Sequence, residues 1–123
     1  MEATELRILN YVNTPYEKEV EIKSIVEDDN WGGYYIVTNN NKTSITVVKP
    51  IPLTEQWLLD FGFIKIDKDF YNLGEFKILH HINENFKWTL IYKGITLINN
   101  IKHVHRLQNL YFALNDNELI RKL

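Results

Sequence analysis

The stretch IKHVHRLQNLYFAL, residues 101–114, constrains the fold more than any other part of this chain, because it repeats its apolar residues with the period of a helix while the segments around it alternate like strands. At 100° per residue, Val104, Leu107, Leu110, Tyr111 and Leu114 fall within one arc of about 120°, with Ile101 at its edge. Such a face must be buried. Lys102, Arg106, Asn109 and Ala113 fall on the other side and form a modest basic strip. Asn100 is the expected N-cap, and Asn115 the residue expected to take the left-handed conformation that ends the helix. Six large side chains are worth on the order of 10 kcal/mol when buried, before entropy, so a sheet is expected against this helix.

The chain has 123 residues and is 45% hydrophobic, enough to fill a core without covalent staples. It has no cysteine, which removes disulfides, thiol nucleophiles and thiolate metal sites from consideration. No apolar run reaches the roughly 18 residues that span a bilayer, and MEATELRIL opens with acid rather than with a secretory signal. A cytoplasmic protein without a membrane partner is expected. The net charge of −2 disfavours a general polyanion binder. Charge is unevenly spread: residues 1–30 hold eight acids against Arg7, Lys18 and Lys23, a local −5, whereas residues 63–123 hold nine bases against six acids and all four histidines.

From Glu5 to Lys49 the pattern is β: Leu6, Ile8, Tyr11 and Val12 lead to a turn around Asn13, Thr14 and Pro15, then Val20, Ile22, Ile25 and Val26 follow with period-two character, with a turn in EDDNWGG and a hairpin from Tyr34–Thr38 to Thr43–Lys49. These strands make either a small barrel-like sheet or the first half of one continuous sheet. Pro50 and Pro52 end the pattern. Thr54 then caps a short helix that Gly62 terminates, and Leu53 with Leu58 has the spacing of a hydrophobic staple. A meander follows, with strands at 63–66, 70–73, 76–82, 86–92 and 95–98 and turns at 67–69, 83–85 and 93–94. Alternation puts Phe86, Trp88, Leu90 and Tyr92 on one face and Lys87, Thr89 and Ile91 on the other. NELIRKL closes the chain as a short strand or a loose tail. The expected fold is therefore α+β: antiparallel β-sheet, small-barrel-like at the N-terminus and a β-meander after it, with one short helix and one C-terminal helix packed on the sheet. Its expected parts are a β-rich subdomain at 1–49 and a helix–meander–helix subdomain at 50–123, together one compact unit.

Catalytic arrangements are not evident. His80 with His81 on a strand, and His103 with His105 on a helix, point their imidazoles apart. Neither Ser24 nor Ser44 lies in a nucleophile elbow, the acidic clusters lie in turns, and Gly32–Gly33 lacks the spacing of a phosphate cradle. No catalytic residue, metal ligand or cofactor is expected. Binding has more support: Lys102, His105, Arg106 and Asn109 form a polar helical strip beside Phe112, and Trp31 sits in a glycine-flanked turn suited to a contact anchor.

Two blocks, IPLTEQWLLDFGF (51–63), followed by FYNLGEFKI, and IKHVHRLQNLYFALNDNEL (101–119), resemble a group of small phage and prophage proteins. That group carries "PLTEEWLLKFGF", a paired "FY…F.I" strand pattern, and "VHQLQNLYFALTGEEL". Asn115–Asp116 replace a frequent Thr-Gly, and Gln56 and Asp60 differ in charge; neither change threatens the fold. The resemblance implies a setting in the host cell rather than a reaction. In that setting the expected function is a non-catalytic inhibitor or modulator of a host defence nuclease, of the anti-CRISPR type, whose partner is a host protein complex or its guide RNA. The alternative is a nucleic-acid-binding accessory protein of phage replication.

Overall fold

The computed structural model describes residues 1, 5–30, 32–81 and 87–122. Trp31, the expected turn at 83–85 and Phe86 lie outside them. In chain order the elements are β1 (Tyr11–Val12), β2 (Val20–Glu21), β3 (Ser24–Glu27), β4 (Tyr34–Val37), β5 (Lys42–Ser44), a 3-10 turn (Ile45–Val47) and α1 (Glu55–Asp60). They continue with β6 (Ile64–Lys65), β7 (Phe70–Leu73), β8 (Phe76–His81), β9 (Lys87–Tyr92), β10 (Ile95–Ile98) and α2 (Val104–Asn115). The fold is α+β with antiparallel sheets throughout. No helix among the described residues is long and apolar enough to cross a membrane.

Two compact units divide the chain: Met1–Pro52 with His103–Glu118, and Leu53–Lys102 with Leu119–Leu123. The expected boundary after residue 49 falls close to this one, but α2 belongs to the first unit and not with the meander.

In the first unit β1 and β2 form a ribbon and β3, β4 and β5 a separate sheet, so the N-terminal strands make no closed barrel. Leu6, Val12, Ile22, Ile36, Ile45 and Val48 form its apolar core. α2 packs against β1. The helix is turned by about 80° from the face its leucines predict. Val104, His105, Leu107 and Gln108 are buried, Leu110 and Tyr111 half-buried, and Leu114 is 38% exposed. The physical reason is Gln108, whose Oε1 accepts from the Tyr11 N–H at 2.9 Å while its Nε2 donates to the Leu9 carbonyl at 3.0 Å. A fully buried amide that satisfies two backbone groups outweighs the extra burial of one leucine, because either group left unpaired costs about 1–3 kcal/mol. Leu9 is held at φ +77°, a left-handed conformation unusual for leucine.

The ends of α2 also differ from expectation. His103, not Asn100, is the N-cap and makes no capping bond with its side chain; Asp116, not Asn115, takes the left-handed conformation, with φ +54°.

The second unit is a five-stranded meander in the order β10-β9-β8-β7-β6. Its core face carries Tyr71, Phe76, Ile78, Trp88 and Leu90, all buried together with Leu53, Trp57, Leu58, Phe61 and Phe63 from α1 and its flanks. Thr54 caps α1 as its sequence predicts, its side chain accepting from the Trp57 N–H at 3.4 Å. Gly62, at φ +98°, ends the helix in a conformation costly for any residue with a Cβ. Trp88 Nε1 donates to the Leu53 carbonyl at 3.1 Å, tying β9 to the residue before the cap. Among the described residues the C-terminal tail forms no strand, yet it is anchored. Leu119 is buried, and the Arg121 guanidinium lies 3.9 Å from the Trp57 ring centroid while its Nε donates to Asp60 at 3.1 Å.

Candidate functional site

Strand alternation gives the meander a second face, opposite its core. Pairing aligns Asn72 with Lys77 and Lys77 with Ile91, so a polar acceptor, an ammonium and an apolar side chain form one row across β7, β8 and β9. Phe70, two residues before Asn72, lies in the next row of the same face. Lys93 and Gly94 close the β9–β10 hairpin, pairing Tyr92 with Ile95, and both have positive φ, +50° and +80°. This is the geometry of a two-residue hairpin turn whose first position favours asparagine, aspartate or glycine. A lysine there keeps a strained backbone.

These residues line an open groove of about 760 Å³ that also takes in Gly74, Glu75 and Phe76. Its lining includes two bases, Lys77 and Lys93, and one acid, Glu75. Lys77 Nζ sits 5.1 Å from the Phe70 ring centroid, and Lys93 Nζ 5.3 Å from that of Tyr92. Asn72 Oδ1 is buried and has no hydrogen-bond donor. A buried acceptor in that state costs about 1–3 kcal/mol.

On the core face, Tyr71 donates a short hydrogen bond to Glu55, which also pairs with Lys65 at 3.3 Å. Burial, followed by the Glu55 carboxylate, pushes the Tyr71 phenol far above its ordinary pKa, while the Tyr71 hydroxyl, then Lys65, hold Glu55 below its own. Trp88 stands edge-on to Tyr71 and stacks on His80 with ring centroids 4.1 Å apart. His80 and His81 point to opposite sides of β8 as alternation requires; His81 Nε2 meets Thr89 Oγ1 at 3.1 Å.

The residues expected to bind are dispersed. Lys102 is exposed in the second unit, where its carbonyl accepts from the Leu53 N–H at 2.9 Å. In the first unit Arg106 is exposed, but His105 is buried, not part of a wet strip. Burial, then the His103 charge, lowers the His105 pKa to about 4, and its Nδ1 has no hydrogen-bond partner. Because His103 is an extended N-cap residue, its ring lies parallel to that of His105, 5.8 Å away, instead of diverging from it.

Asn109 is occupied internally. Its Oδ1 accepts from Arg7 Nε at 3.0 Å and Asn10 Nδ2 at 2.8 Å, and its Nδ2 donates to the Glu5 carbonyl at 2.9 Å. Arg7 stacks over Phe112 at 4.3 Å and forms a two-pronged pair with Glu118 at 2.8 and 2.9 Å. Asn109 and Phe112 thus help fasten the N-terminal segment to α2. Trp31 lies outside the described residues.

Phe70, Asn72, Lys77 and Ile91 were visible in the sequence only as strand residues. The signal that finds Phe70, Asn72, Lys77, Ile91 and Lys93 is two-residue alternation combined with hairpin register. Among the described residues no three histidine, aspartate or glutamate side chains are grouped as metal ligands. No protein-family model, curated protein or solved structure matches this chain.

Proposed function

We propose that this chain is a non-catalytic binding protein encoded by a phage or prophage, which works in the host cytoplasm by engaging a host defence nuclease of the CRISPR type through its guide RNA. One observation supports a binding role above the rest: an open groove on the meander whose lining includes Lys77, Lys93, Phe70 and Ile91. Lysines at a sheet surface neutralise phosphate, and an aromatic side chain beside them offers a surface for a base. The phage setting rests on the resemblance of residues 51–63 and 101–119 to that group of proteins.

The test is capture and inhibition. Tagged protein is mixed with reconstituted RNA-guided nucleases, with and without guide, and target cleavage is followed. Guide-dependent retention and slower cleavage are expected. Unchanged cleavage by every nuclease type at saturating protein, with no retention, refutes the proposal; binding of phage nucleic acid alone would move the assignment to a replication accessory protein.

A further inference from the structure

We infer that β10 takes a short extended segment of a protein partner as a sixth strand of the meander, and that this segment is apolar between two acidic ends. The inference goes beyond the guide-RNA reading and uses a different part of the second unit.

The five-stranded sheet ends at β10, and nothing among the described residues pairs with the outer edge of that strand. An open edge offers N–H and C=O groups to any chain that can lie along it, so folded proteins usually guard it with charge, proline or brevity. Of the other outer strands of the two larger sheets, β3 carries Glu27, β5 Lys42 and β6 Lys65, and β6 is only two residues long. β10, with the sequence ITLI, has neither charge nor proline. Ile95 is 66% exposed and Leu97 40%.

Register decides which groups are offered. As the pair closing a two-residue hairpin, Tyr92 and Ile95 exchange backbone bonds, so alternation turns the N–H and C=O of Thr96 away from β9. Leu97 is the extra residue of a bulge between Thr96 and Ile98 and has no opposite on β9. Ile95 carries the row of Phe76 and Tyr92 to the edge, where an apolar side chain of an added strand continues it. Beyond the strand, the Ile101 N–H donates inward to the Trp88 carbonyl at 2.8 Å, and the Lys102 carbonyl accepts from the Leu53 N–H at 2.9 Å. The vacant stretch therefore ends where the chain's own extended segment begins to cover the edge.

Charge selects the occupant. Residues 94–101 are uncharged and lie between Lys93 and Lys102, both exposed and neither in an ion pair among the described residues. A strand laid along β10 sets one end beside each lysine, so acids there are attracted and bases repelled. A second copy fits poorly: a two-fold seam opposes bulge to bulge and brings in four lysines, with no acid from residues 93–102 of either chain.

The experiment is fluorescence anisotropy at low salt, with the whole chain and two labelled peptides, EDVTVTVDE and KKVTVTVKK. The acid-flanked peptide should bind about tenfold more tightly, the scale of two exposed charge contacts changing sign. Its binding should also slow hydrogen exchange of the Thr96 amide, which a contact through side chains alone leaves unchanged. Thr96→Pro removes the outward N–H without touching the bonds to β9, so it should abolish binding while the circular dichroism stays that of wild type. Lys93→Glu with Lys102→Glu should reverse the preference between the peptides, a result that loss of folding cannot mimic. No binding of the acid-flanked peptide, equal binding of the two, or wild-type binding by Thr96→Pro overturns the inference. A dimer seen in sedimentation and lost in Thr96→Pro gives the edge to a second copy and overturns it as well. Guide-dependent retention of a nuclease that persists in Thr96→Pro keeps the guide-RNA reading standing even where the peptides fail to bind.

Discussion

Acid should loosen the first unit through a single imidazole. His105 is 4% exposed on the face of α2 that packs inward, and its pKa stands at about 4 against an ordinary 6.5. Desolvation is the leading cause, the nearby charge of His103 adds to it, Glu5 opposes it and Arg106 reinforces it. Between these two values the unfolded chain binds a proton that the folded chain does not, so stability rises with pH there. The contribution is complete above about pH 6.5 and is lost progressively as pH falls to about 4, a total of about 3 kcal/mol for a displacement of that size. At pH 5.5 the expected loss is about 1.4 kcal/mol and at pH 4.5 about 2.5 kcal/mol.

Glu17, held low by its hydrogen bond from Asn41 and then Thr38, and Glu55 lose stability in acid as well. The informative quantity is therefore the difference between the wild type and His105→Leu, in which those carboxylates cancel. Urea unfolding followed by circular dichroism at pH 7.5, 6.5, 5.5 and 4.5 should show a difference that is flat above pH 6.5 and then moves steadily in favour of the variant. His105→Leu should also be no less stable than wild type at pH 7.5, because it removes a buried nitrogen with no partner. The reasoning fails if the difference is independent of pH, or if the His105 Cε1–H resonance titrates near 6.5.

Three further outcomes follow from single contacts. Gln108→Leu keeps volume but strips partners from the Tyr11 N–H and the Leu9 carbonyl, and should cost about 2–4 kcal/mol in chemical denaturation; a cost below about 0.5 kcal/mol would show that the bridge does not set the helix face. Lys93→Asn should raise stability by about 0.5–1 kcal/mol by relieving the turn, measured as a higher unfolding midpoint, and an unchanged or lower midpoint would remove the case for local strain. Arg121→Ala should cost about 1–2 kcal/mol and increase hydrogen exchange in α1, since the guanidinium both stacks on Trp57 and donates to Asp60; unaltered exchange would mean that the tail does not brace that helix.

What the sequence determined by itself is whatever depends on a few neighbouring residues. The Thr54 hydroxyl reaches the Trp57 N–H within one helical turn, Gly62 tolerates the backbone that ends α1, Lys93–Gly94 reverses a hairpin, and alternation sets Trp88 and Leu90 apart from Ile91. These readings needed no knowledge of what lies across the molecule. The facing of α2 did need it. Its leucine periodicity pointed to one side, but the buried side follows Gln108, and the groups that decide this are the backbone atoms of Leu9 and Tyr11, about a hundred residues earlier in the chain. His105 and Asn109 left the solvent-facing strip for the same reason, one by desolvation and one by hydrogen bonds to Arg7, Asn10 and Glu5. The groove likewise belongs to tertiary structure: each of its residues was visible in a strand or a turn, yet only register across three strands puts Asn72, Lys77 and Ile91 in one row, and register is fixed by which faces are buried together.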